Sequence, residues 1–137
     1  MALREGMRLP LGVSAGGVAL LAYQNDEFIE TYLAEFGLDW GPNNSPEAIR
    51  NRVAEARVLG YALNPGLDIQ GNFGMAAAVV QTGKPTQFAL TITGVESRFR
   101  KARQSELGST LLTFAHRLAQ FPVYSLADVP GRNANSP

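Results

Sequence analysis

Gly71–Gly94, GNFGMAAAVVQTGKPTQFALTITG, is the stretch whose reading decides the fold. Two apolar runs flank Thr82-Gly83-Lys84-Pro85, and Gly with Pro in such a gap marks a turn, so the runs read as a β-hairpin. A loop of Thr82 to Pro85 sets Gln81 opposite Thr86, and facing residues of an antiparallel pair share a side of the sheet. This register pairs Met75 with Ile92, Ala77 with Leu90 and Val79 with Phe88 on one side. The other side pairs Ala78 with Ala89, Ala76 with Thr91 and Gly74 with Thr93. One side is bulky and apolar, whereas the other is nearly bare apart from two hydroxyls. A bare side either seats a helix closely or floors a small-molecule pocket, and the hairpin alone leaves both open.

Working outward, the flanks supply helices. Before the hairpin, Tyr61-Ala62-Leu63-Asn64 reads as a short strand and Pro65-Gly66 as a turn. The next strand is expected to begin near Leu67, with a break at Gly71. Ser45-Pro46 opens a helix with Ser as N-cap and Pro at the first position. Ile49, Val53 and Ala56 form its apolar stripe, Arg50, Arg52, Glu55 and Arg57 lie mainly outside it, and Gly60 ends it. Asn25 to Phe36 is another helix, capped by Asn25, with Asp26 and Glu27 at its positive end. Its apolar face is Phe28, Ile29, Tyr32, Leu33 and Phe36, and Gly37 closes it. Leu38 to Asn44 is loop, where Trp40 covers core or walls a pocket.

Ser14 is a natural N-cap for a buried helix through Val18-Ala19-Leu20-Leu21-Ala22. Gly16 and Gly17 in its first turn cost about 1 kcal/mol each relative to Ala. Either a neighbour packs close there, or a ligand meets the unpaired amides of the helix start. Met7 to Val13 is expected as an edge strand or strand end, limited by Pro10. After the hairpin, Arg100 to Phe121 is a long helix, with Leu107, Leu111, Phe114, Leu118 and Phe121 expected to pack on the sheet. Helices, then strands, then a helix predict an α/β (α+β) fold with an antiparallel sheet and an unpaired edge. Residues 123–137 lack periodicity and read as a flexible tail.

The chain has 137 residues, 45% hydrophobic and 18% charged, which suits one globular domain. Twelve basic and 12 acidic side chains balance, so the basic excess of a nucleic-acid-binding domain is missing. Arg98, Arg100, Lys101 and Arg103 are the one dense basic cluster and read as a solvated helix start. With no cysteine, disulfides and thiolate chemistry are excluded. No apolar run reaches membrane-span length and the N-terminus lacks a signal-peptide core, so the expected location is the cytoplasm, with no membrane partner. His116 is the single histidine and has no second imidazole for a metal. No nucleophile triad, paired carboxylates or phosphate loop is recognisable, so neither catalysis nor a cofactor is expected. What remains is a binding site joining the amides after Ser14 with Thr91 and Thr93, with Asn64 at its rim, suited to a small carboxylate.

Arg8-Leu9-Pro10-Leu11, the run Ser14-x-Gly-Gly-x-Ala-Leu-Leu-Ala22, Gly60-Tyr61-Ala62, the small-residue strand from Gly74 and Phe88–Arg98 occur in an order that resembles IclR-type transcriptional regulators. The likeness covers roughly residues 7–121. It implies a GAF- or profilin-like domain, taken as residues 1–122, that binds a small organic or aromatic acid and forms homo-oligomers. The ligand-binding positions it implies are Ala15, Gly16, Asn64, Gly74, Thr91 and Thr93. Three departures stand out. Asn64 replaces an acid common in that family, Gly74 stands where a thiol occurs, and Val18 replaces a common lysine. The family's winged helix-turn-helix and the first strands of its effector domain are not in this sequence, so DNA contact is expected only through a domain outside it. The alternative is a dimerisation module that modulates a full-length homologue through the open sheet edge.

Overall fold

The computed structural model describes residues 4–36, 41–67 and 69–121. Helices α1 (Ala15–Leu21), α2 (Asp26–Phe36) and α3 (Pro46–Leu59) come first. Strands β1 (Ala62–Asn64), β2 (Asn72–Val79) and β3 (Phe88–Val95) follow, and helix α4 (Lys101–Leu118) comes last. The strands form one antiparallel sheet in the order β1-β2-β3, giving a mixed α/β fold.

The hairpin register is the expected one, from Gly74 opposite Thr93 to Val79 opposite Phe88. Pairing stops at Val79, so the connection is longer than the four residues Thr82 to Pro85. The bare and bulky sides each meet helices. Ala62, Ala76 and Ala78 pack with Val18, Leu21, Ile29, Leu33 and Val53 of the first three helices. Phe73, Met75, Ala77 and Val79 pack with Phe99 and with Leu111 and Ala115 of α4. Small side chains on the first side let α1 approach the strands, while the second side supplies its own bulk.

That division corrects the expected face of α4. Gly108, Leu111 and Ala115 are its buried residues, with Leu107, Leu112 and Ala119 beside them. Phe114, Leu118 and Phe121 are exposed. Met75, Phe73 and Val79 already fill the space, so the helix presents its small residues and sits close to the sheet. Gln81 fastens its far end, Nε2 donating to the carbonyls of Ala119 at 2.9 Å and Phe121 at 2.6 Å.

Two expected strand segments are turns. Met7 to Val13 is irregular and closes on Val13 N–H donating to Pro10 O at 3.4 Å. Leu67 does not begin β2, because Gly66 and Gly71, at φ 71° and 79°, bend the chain in a way strands do not. On α2, Ile29 and Leu33 are buried, but Phe28 and Phe36 are half out and stack along the surface through Tyr32. Gly37, Trp40 and the tail 123–137 lie outside the described residues.

The arginines of α3 fix the approach of α1. Arg52 Nη2 donates to Gly12 O at 2.8 Å and to Oδ1 of buried Asn44 at 2.7 Å, pinning the chain just before α1. Arg57 donates to the carbonyls of Ala22 and Gln24 and to Asp26, pinning the chain just after it. Tyr32 adds a third hold, its phenol oxygen accepting from Leu11 N–H at 2.7 Å.

Candidate functional site

A cavity of about 210 Å³ opens where the start of α1 faces the hairpin. Ser14 caps α1, its Oγ accepting from Gly17 N–H at 3.1 Å. The two glycines that weaken this helix are explained by packing. A β-carbon on Gly17 would lie 2.9 Å from the Gly12 nitrogen, and one on Gly16 would lie 3.2 Å from Thr91 Oγ1. Their bare backbones let α1 press onto the preceding turn and onto β3.

Of the residues expected at the site, Ala15, Asn64, Gly74, Thr91 and Thr93 border this cavity. Gly16 does not border it but sits behind Thr91, so it governs how closely α1 meets the strand. Gly74 is open toward the cavity, where a β-carbon would touch those of Ala15 at 3.6 Å and Asn64 at 3.8 Å. Asn64 is more than a rim residue. Its Nδ2 donates to Val13 O at 3.1 Å and its Oδ1 accepts from Leu67 N–H at 3.2 Å, joining the end of β1 to the entrance of α1.

Four bordering residues escaped sequence reasoning as site residues: Leu9, Gly66, Ile69 and Asn72. Asn72 was within reach, because it alternates with Gly74 and Ala76 on the bare side of β2. Leu9 and Ile69 lie on irregular segments where no periodicity points to them. No lining residue is charged among those described, and the polar side chains there are hydroxyls and amides. Among the described residues no cluster of His, Cys, Asp or Glu could hold a metal ion, and no helix is long and apolar enough to cross a membrane. The arrangement can bind and orient a small molecule by hydrogen bonds within an apolar shell.

A probable HTH-type transcriptional regulator, ArcR of Halobacterium salinarum, is 31% identical over 103 residues, covering 73% of this chain. The chain spans about 39% of that relative's length. The repressor BlcR of Agobacterium tumefaciens has the same fold, with TM-score 0.76 and 23% identity over 85% of this chain and 49% of its own. So does the inducer-binding domain of the PobR transcription factor from Acinetobacter, solved as a double mutant with 3-hydroxybenzoic acid. Its TM-score is 0.71, with 20% identity over 83% of this chain and 67% of its own. The pattern described as bacterial transcriptional regulator IclR C-terminal matches residues 1–120. On that match, the chain belongs to the IclR C-terminal family of bacterial transcriptional regulators.

Proposed function

We propose that this chain is the effector-sensing domain of a cytoplasmic IclR-type transcription regulator and that its cavity binds a small organic or aromatic acid. The observation that carries the reading is the meeting of α1 and the hairpin around a small, uncharged, mainly apolar cavity edged by hydroxyls and side-chain amides. The amide of Ala15, in the first turn of α1 and beside the cavity, has no acceptor within the helix and suits an acid oxygen. Ser14 uses its oxygen as the cap acceptor, which leaves the hydroxyl hydrogen to donate. The apolar side chains of Leu9 and Ile69 suit the body of the ligand. The acid bound by the PobR inducer-binding domain supports the same choice.

The test is a thermal-shift series over short aliphatic and aromatic acids. An acid at a hundred times its Kd stabilises the folded state by about 2.7 kcal/mol. That raises Tm by several degrees. The paired change Thr91→Val and Thr93→Val is expected to abolish the rise while the fold persists. A rise that survives the paired change would place the site elsewhere.

A second role, self-association, is favoured by the exposed apolar residues Phe114, Leu118 and Phe121 and by the outer edge of β3, which pairs with no strand among the described residues. Light scattering across concentration tests it, and a monomer at all concentrations would count against it.

A further inference from the structure

A second concavity lies on the α4 side of the sheet. It is an open cleft of about 430 Å³ between the end of β3 and the start of α4. Ile92, Val95, Phe99 and Leu107 make its apolar floor, and Arg98 and Arg103 stand on its rim. Gly94 lets that floor close up, since a β-carbon there would lie 3.1 Å from the Phe99 ring. Arg98, Arg100, Lys101 and Arg103 are all exposed, and none forms an ion pair among the described residues. Cations at the N-terminal end of a helix oppose its dipole. No acidic residue stands in the first turn of α4 to offset them, so the cluster does not serve the stability of that helix.

The opposite charge gathers on α2. Phe28 and Phe36 are each 43% exposed, and Tyr32 joins them into a surface stack with ring centroids 6.1 and 5.0 Å apart. Glu27 and Glu35 adjoin the two phenylalanines, exposed and without an ion pair among the described residues. Glu35 lies in the last turn, where a carboxylate opposes the dipole and no basic residue offsets it. One surface is therefore an aromatic stripe edged by unmatched acids, and the other an apolar floor edged by unmatched cations. The two cannot meet within one chain. Ile29 and Leu33 of α2 belong to the core on the α1 side of the sheet, whereas Phe99 and Leu107 belong to the core on the α4 side.

We propose that α2 of a second copy docks in this cleft, with its aromatic stripe on the apolar floor and Glu27 and Glu35 against Arg98 and Arg103. The contact is head-to-tail. Each copy offers a helix to one neighbour and a cleft to another, so the assembly closes into a ring or grows. The inference rests on the self-association reading, gives it a pair of unlike surfaces, and is independent of the acid-binding cavity.

The experiment is sedimentation velocity of the purified chain across concentration. Self-association is expected, with a Kd that rises about tenfold between about 0.05 M and about 0.5 M salt as the charge contacts are screened. Two double changes of exposed side chains separate the surfaces. Arg98→Ser with Arg103→Ser strips the cleft rim, and Phe28→Ser with Phe36→Ser strips the helix stripe. Each alone is expected to weaken association about tenfold or more. Mixed together, the two variants are expected to form a one-to-one pair that grows no further, because one keeps the helix and the other keeps the cleft. That recovery also shows both variants to be folded, and circular dichroism of each checks it separately. If either double change leaves association unaltered, if the mixture forms no pair, or if salt does not weaken association, the inference fails while self-association through α4 and the β3 edge stands. A parent chain that is monomeric at every concentration overturns both.

Discussion

Gly108 shows how much one missing side chain decides. A β-carbon there would fall within the van der Waals envelope of the Tyr61 ring. Gly108→Ala gains about 1 kcal/mol in helix propensity, yet overpacking costs about 1–3 kcal/mol. The expected outcome is net destabilisation of up to about 2 kcal/mol, read as a lower denaturant midpoint. Tyr61→Ala in the same chain should recover part of it, since contacting residues couple. Asn64 decides by bonding. Asn64→Ala removes both a donor to Val13 and an acceptor for Leu67. It is expected to cost about 1–3 kcal/mol and to reduce the acid-induced rise in Tm, because the entrance of α1 is released. Part of this was legible beforehand, since the turn chemistry of Asn64-Pro65-Gly66 marked the position. Its bond to Val13 was not, because that partner lies 51 residues away and follows no local pattern.

Between elements, the pairing of α2 with α3 gives a pH-dependent contribution. Arg50 donates two hydrogen bonds to Glu30, at 2.7 and 2.6 Å, and both side chains are about half exposed. The hydrogen bond from Arg50 holds the Glu30 carboxyl below its ordinary range, with the arginine's charge adding to it. A carboxyl lowered in the folded state adds stability that is whole above its unfolded pKa. That stability is lost as pH falls through the folded value. Arg50→Met should therefore lower Tm slightly at neutral pH, and the gap to the parent chain should close below the glutamate range. Added salt should shrink the same gap. Helix existence was largely readable from Ser14, Asn25 and Ser45 as caps and from the stripe Ile49, Val53 and Ala56. The face of α4 was not. Leu107, Leu111, Phe114, Leu118 and Phe121 keep helical spacing, but so do Gly108, Leu111 and Ala115. Only the bulk of Met75 and Phe73 on the opposing sheet decides between them.

For the molecule as a whole, the unburied Phe114 and Leu118 leave apolar surface on α4. Phe114→Ser with Leu118→Ser should change monomer stability little, since neither side chain is in the core, while moving the association constant measured by light scattering toward monomer. A two-sided core explains why the alanines of β2 suffice. The sheet is filled from α4 on one side and approached by α1 on the other. The grip of Arg52 and Arg57 on the two ends of α1 has a consequence for inheritance of ligand response. Both arginines belong to α3 and neither borders the cavity, yet together they set the tilt of the helix that forms its wall. Selection for an altered inducer range should therefore return changes on α3 as well as in the cavity, with the wall repositioned and its chemistry untouched.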